Sequence, residues 1–337
     1  MPDGRPVRCL VLDASPEVEL HLVDLGATVH RIVVTGGDGV RRDVALGHPT
    51  VAAYLAAHDY LGASVGRYAN RIRGGAFTID GNPVVITPND RSNALHGGPE
   101  GFDRRIWQIL DATPTSALLR LVSPDGDQGF PGELTVDALF EVDQNTISIT
   151  YQATTDAPTV INLTQHTYFN LGGDAAGSVD GHELTVHAQA IIPVDGTGIP
   201  LTERLPVTGT PFDLRRPTRL AGPLRSAHEQ VVLSGGIDHN YVLDGSGLRD
   251  VAELSCAATA TTLTLATDQP GLQVYVGNFL DGPPARHGGR YRQGDGIALE
   301  PQLFPDTPNR PDFGSAVLRP GERYRARCVW RFTDLAR

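Results

Sequence analysis

The chain predicts an all-β protein, a large antiparallel sandwich with functional loops and few short helices. Three observations carry this. Glycines (38) and prolines (25) are scattered along the 337 residues, so turn signals recur roughly every ten residues. Between them lie short runs rich in β-branched and aromatic residues. Helical periodicity is sparse.

The elements follow in order. Val7–Leu12, Val18–Leu25 and Val29–Val34 read as the first strands. Thr50 to Tyr60 reads as a short helix, with Thr50 as N-cap and no proline inside. Strands resume at Ala76–Ile79, Ile106–Leu110 and Ala117–Val122. Leu134–Val142 and Thr146–Gln152 flank Asp143, Gln144 and Asn145, a hairpin signal. Pro217 and Pro223 break Asp213–Gln230 into loops or a single turn. Thr261–Ala266 is a further strand. No polar linker, low-complexity tract or repeat intervenes, so residues 1–337 are expected to form one domain.

Composition narrows the function. All 28 basic residues are arginine. Without lysine there is no Schiff-base chemistry and no orthodox P-loop. The missing lysine itself reads as genome composition, since arginine codons are GC-rich. A net charge of −11 argues against a nucleic-acid partner. Cys9, Cys256 and Cys328 are far apart and odd in number, which suits a reduced, cytoplasmic compartment. Met1 to Leu12 lacks a signal-like apolar run, and no stretch reaches the roughly 18 apolar residues of a membrane span.

The informative segments are strands with one polar face. In Val160–Asn170, alternation puts Asn162, Thr164, His166, Tyr168 and Asn170 on one side. In Gly271–Leu280, Gln273, Tyr275 and Gly277 share a face. In Gly296–Gln302, Ala298 and Glu300 do, with Glu300 expected near a strand end because Pro301 follows. A wet sandwich face competes with this reading. Yet His, Tyr, Asn and Gln are poor generic surface residues and good polyol binders.

Other chemistries fare worse. His182 and His187 are five apart and face opposite sides of a strand, so no two-histidine zinc spacing is present. There is no G-x-S-x-G elbow and no glycine-rich phosphate loop in strand–turn–helix context. Acid–base work by histidine and carboxylate remains.

At these residues the sequence resembles the aldose 1-epimerase, or galactose mutarotase, family. The resemblance covers nearly the whole chain. It rests on GRYANRI at Gly66–Ile72, LHGGPEGFDRRIW at Leu95–Trp107, NLTQHTYFNLGG at Asn162–Gly173, DHNYVL at Asp238–Leu243, QPGLQVYVGNFL at Gln269–Leu280 and LEPQLFPDTPN at Leu299–Asn309. It implies a β-supersandwich with an open sugar cleft. It implies exchange of the α and β anomers of free hexoses such as glucose and galactose, without metal or cofactor. The family's general base falls on Glu300 and its general acid on His166. Its sugar contacts fall on Asn70, Arg71, His96, Tyr168, Asp238 and Gln273. Two departures are Gly314 after Phe313, where proline is common, and Gln165 before His166, where asparagine is frequent. Neither is expected to touch the chemistry.

Anomer exchange requires the hemiacetal to open and reclose. A base takes the C1 hydroxyl proton while an acid protonates the ring oxygen. A carboxylate and an imidazole on opposite sides of the ring are expected to do this. Three other readings stay open. A hexose-6-phosphate 1-epimerase would need further arginines, with Arg67, Arg73, Arg104 and Arg105 as nearby candidates. A non-catalytic sugar-binding protein would need no acid and base pair. A glycoside hydrolase would pair Glu300 with Asp238. The expected partner is a small-molecule aldose, with the chain a monomer or homodimer.

Overall fold

The fold is that of a computed structural model, which describes residue 1 and residues 4–333. Two antiparallel sheets dominate it. The larger has nine strands in the order Gln108–Ala112, Ser116–Ser123, Leu134–Asp143, Thr146–Thr155, Tyr324–Thr333, Thr261–Thr267, Arg249–Cys256, Glu183–Val186 and Thr218–Arg219. The smaller has six, in the order Tyr168–Phe169, Ile297–Gln302, Gly271–Tyr275, Asp238–Leu243, Ala188–Ile192 and Leu205–Pro206. A four-stranded sheet runs Cys9–Ser15, Val18–Val23, Thr28–Thr35, Arg41–Asp43. All-β architecture is therefore as the sequence predicts, and each of the nine expected runs overlaps an observed strand.

The sheets share one apolar core. Leu272, Val274, Ile297 and Leu299 of the six-stranded sheet cluster with Leu263, Leu265, Trp330 and Phe332 of the nine-stranded one. Leu20, Leu22 and Ile32 join them from the four-stranded sheet. Alternation decides which side chains go inward. Leu134–Asp143 buries every second residue, and its ladder with Thr146–Thr155 runs unbroken from Leu134↔Thr155 to Asp143↔Thr146. Gln144 turns that hairpin in the left-handed region at φ 52°.

Three sequence expectations fail here, each for a physical reason. Residues 160–170 do not form one strand. Thr159–Val160 pairs with Val317–Leu318, Thr164–Gln165 with Ser64–Val65, and Tyr168–Phe169 with Ile297–Ala298. The segment passes between several partners and is buried on all sides, so its alternation never describes a single wet face. The helix spans only Val51–Ala56, capped by Thr50 Oγ1 accepting from Ala53 N–H at 3.1 Å. Ala57 is already extended, and Arg104 donates to the end carbonyls of Leu55 and Ala57. The strand Ile297–Gln302 continues through Pro301, leaving Glu300 inside it. Proline is tolerated because the neighbouring strand on one side stops at the level of Ala298.

Ala221–Leu224 makes the expected single turn, with Pro223 inside it. A helix at Glu229–Ser234 is new, although His228 as N-cap and Gly235 as C-cap at φ 66° are readable signals. Among the described residues no helix is long and apolar enough to cross a membrane.

Candidate active site

The second face of the six-stranded sheet builds the site. Gln273 stands opposite Glu300 in the ladder, and Asp238 one strand further on opposite Tyr275. Their inward neighbours Leu272, Val274 and Leu299 anchor the same strands in the core. Phe169 likewise packs edge-on against Trp330 at 5.1 Å, so Tyr168 is turned to the other face. That face floors a cavity of about 500 Å³. All eight residues singled out in the sequence line it: Asn70, Arg71, His96, His166, Tyr168, Asp238, Gln273 and Glu300.

Loops supply the remaining walls. Asn70 sits in the left-handed region at φ 67°, which asparagine tolerates. Its N–H donates to His96 Nδ1 at 3.1 Å, and its carbonyl accepts from His96 N–H at 3.2 Å. Gly97 follows at φ 91°, where a Cβ would lie 2.1 Å from the carbonyl oxygen of Gly66. Only glycine allows this approach. Arg71 donates from Nε to Asp90 Oδ2 at 2.7 Å, and its guanidinium lies where a Cβ on Gly198 would be. Gln273 Nε2 donates to Asp238 Oδ1 at 2.7 Å. His166 Nε2 is 3.5 Å from Glu300 Oε1, both side chains almost wholly buried.

Residues 8–331 match the family model described as aldose 1-epimerase. The chain belongs to the aldose 1-epimerase family. It is 40% identical to the aldose 1-epimerase of Escherichia coli strain K12, over 98% of this chain and 96% of that one. It is 39% identical to human galactose mutarotase, over 91% of this chain and 89% of that one. Among solved structures, the GalM/aldose epimerase homologue from C. elegans superposes with a TM-score of 0.91 at 27% identity, covering 98% of this chain and 100% of that one. Galactose 1-epimerase from Lactobacillus acidophilus gives 0.87 at 30%, covering 99% and 96%.

The geometry refines what membership of the aldose 1-epimerase family implies. Tyr168 lines the cavity, but its hydroxyl donates to the Asp59 carbonyl at 2.7 Å. It therefore offers its ring rather than its hydroxyl. Gln165 Oε1 accepts from the backbone N–H of His166 at 2.9 Å and so steadies the main chain there, without reaching the imidazole or lining the cavity. Gly314 stands at φ 98°, a conformation proline cannot reach, and lies outside the cavity lining. His239 faces the opposite way from Asp238, meeting Gln230 Oε1 at 3.1 Å and packing on Phe212. His182 accepts from Leu171 N–H at 2.9 Å, a structural role.

Sequence reasoning missed several neighbours. Tyr60 stacks on His166 with centroids 5.8 Å apart and meets His96 at 4.6 Å. Asp59, Asp90 and Tyr275 also line the cavity. Tyr275 was placed on the polar face beside Gln273 by the alternation of Gly271–Leu280 but was not singled out as a contact. Tyr60 and Asp59 fell inside the helix that ends early.

Electrostatics sets the resting state of the pair. Burial pushes Glu300 well above the ordinary carboxylate range, Asp238 adds to this and Arg71 opposes it. Burial drives His166 down to about 4, opposed by its backbone hydrogen bond and Asp59. Both shifts move the pair's shared proton towards the carboxyl and away from the imidazole.

His96, His166 and Glu300 bring potential ligand atoms within 4.8 Å of one another, a disposition a divalent metal would accept. The donor set does not fit it. Because His96 Nδ1 accepts from Asn70 N–H, the ring proton sits on Nε2, which is then a donor and no ligand. Burial, His166 and Arg71 hold His96 well below its ordinary pKa, so it is a neutral donor.

Proposed function

We propose that this protein interconverts the α and β anomers of free hexoses such as glucose and galactose. The observation that carries the reading is the His166–Glu300 pair, 3.5 Å apart and facing a cavity lined by hydroxyl-binding groups. The pair stands side by side rather than on opposite sides of a ring. This suits the reaction, because the C1 hydroxyl oxygen and the ring oxygen are both bonded to C1.

In the assignment the family resemblance supports, Glu300 takes the C1 hydroxyl proton while His166 protonates the ring oxygen. The C1–O5 bond breaks, the C1–C2 bond rotates, and reclosure on the other face reverses both transfers. Opening leaves Glu300 protonated and His166 neutral, the arrangement towards which burial shifts both groups. A sugar hydroxyl donated to Glu300 stabilises the carboxylate and moves the shared proton towards His166. Each transfer contributes roughly 10²–10⁴-fold. His96 Nε2–H, Asn70, Arg71, Asp238 and Gln273 hold the hydroxyls, and the Tyr168 ring supports an apolar sugar face.

The cavity supports free rather than phosphorylated sugars. Acidic side chains Asp59, Asp90, Asp238, Asp281 and Glu300 line it against Arg71 and Arg91, and Arg71 is already paired with Asp90. Of the other arginine candidates, Arg67 is buried against the carbonyls of Ser123, Pro131 and Gly132, and Arg105 pairs with Asp127 at 2.6 Å. Arg104 caps the helix, and Arg73 is mostly exposed beside Asp306. None lines the cavity. The test is polarimetry on fresh α-D-glucose, α-D-galactose and α-D-glucose 6-phosphate. Acceleration of the free sugars is expected. A faster rate on the 6-phosphate would overturn the assignment of substrate.

A further inference from the structure

We propose that His48, as an imidazolium, is a positioning residue that clasps the two loops walling the sugar cavity and so holds Tyr60 and Tyr168 against His166. The inference rests on the anomer-exchange reading of that site and adds a residue outside the cavity to it.

His48 is fully buried. Its Nδ1 lies 2.8 Å from the Pro284 carbonyl oxygen, and its Nε2 lies 3.0 Å from Asp59 Oδ1. A carbonyl and a carboxylate oxygen only accept. A neutral imidazole carries one N–H, so it would turn one lone pair against another. Both contacts are satisfied together when both nitrogens carry protons and Asp59 is ionised. Asp59 Oδ2 is buried without a hydrogen-bond partner, and among the described residues its ion-pair partner is His48.

The two acceptors belong to the two walls. Pro284 ends the strand Asp281–Pro284, whose Asp281, Gly282 and Pro283 line the cavity. Asp59 lies in the stretch after the helix, and its carbonyl receives the Tyr168 hydroxyl at 2.7 Å. Tyr168 lies 5.0 Å from His166, ring to ring. Tyr60 follows Asp59 directly and stacks on His166. Tyr60 is held at φ 57°, an unfavourable region for a bulky side chain, so neighbours must fix it. Regular structure does not, because the helix has ended at Ala56.

The groups around His48 are these. The Tyr54 ring meets it edge-on at 4.9 Å, and Tyr54 is in turn bonded to His30 Nδ1 at 3.0 Å. Arg286, just past Pro284, is engaged by Asp43 and Asp174 and opposes charge on His48. Burial is the largest influence and opposes the charge, yet the Asp59 hydrogen bond and charge, together with the Pro284 carbonyl, outweigh burial and Arg286, so the His48 pKa is raised. A raised imidazole pKa leaves the clasp intact at lower pH and releases it as pH climbs through that value.

The experiment joins ¹⁵N-resolved imidazole NMR of the intact protein with kinetics. Expected are two protonated His48 nitrogens at pH 7 and a titration above the ordinary imidazole value. His48→Gln and Asp59→Asn should each lower kcat/KM roughly tenfold, and the double variant no further, because both break one unit. In the wild type the KM for galactose should rise as His48 loses its proton, and in His48→Gln it should stay flat over that range. A neutral His48 at pH 7, or variants with wild-type constants, overturns the proposal. Wild-type inactivity instead counts against the anomer-exchange reading. Sugar affinity by calorimetry then replaces KM, and an unchanged affinity in both variants sinks the clasp.

Discussion

At the scale of single residues, chemistry turns on where one proton sits. His166 falls to about 4 and Glu300 rises well above its ordinary range. The pair is competent only while it holds one proton. Activity should therefore fall as pH drops through about 4, when His166 gains a second proton and no acceptor remains. It should fall again on the alkaline side, well above the ordinary carboxylate value, as the last proton leaves. A pH series of kcat/KM checks both limbs. Arg71 depends on Asp90, whose carboxylate takes its Nε–H at 2.7 Å. Asp90→Asn should raise KM for galactose roughly tenfold with kcat nearly kept, as measured by initial rates. That Glu300, His166 and the six proposed sugar-contact residues would gather in one place was legible because the motifs carry them, and all eight line the cavity. Asp90 and Asp59 were not: acidic loop residues are common, and only folding brings them to Arg71 and His48.

At the scale of elements, strands were legible where alternation meets a single core. Leu134–Asp143 and Thr146–Thr155 are such strands, one face packed and the other wet. Residues 160–170 misled because their polar face is enclosed by other strands instead of solvent. The same enclosure is why those residues can bind a ligand. The helix end was illegible because Ala57 and His58 carry no breaker; the Arg104 contact that closes the helix comes from far along the chain. The His96–Gly97 turn is the tightest local device in the site. Gly97→Ala meets both a positive φ and a carbonyl 2.1 Å away. It should cost about 3 kcal/mol or more and lower Tm, with loss of sugar binding by calorimetry. Glu300→Gln should act oppositely on stability. A buried acid whose pKa is raised destabilises the fold as pH rises past its unfolded value, so the amide should keep or raise Tm at pH 7.

At the scale of the whole molecule, two sheets bury one core and leave the far face of the smaller sheet to floor the cavity that gathers the eight candidate residues. All-β architecture was readable from turn spacing, while the strand order was not, because Tyr324–Thr333 enters the middle of the nine-stranded sheet from the far end of the chain. The lysine-free composition costs the proposed chemistry nothing: it asks only for a fixed charge that arginine can supply and for a carboxyl and an imidazole to carry the protons. The most direct measurement is the decay of optical rotation of fresh α-D-galactose, with a chelator present, for the wild type and Glu300→Gln. The wild type should speed the decay regardless of chelator, and the folded variant should lose at least about 10²-fold. Full activity in Glu300→Gln, or none in the chelated wild type, would contradict the account.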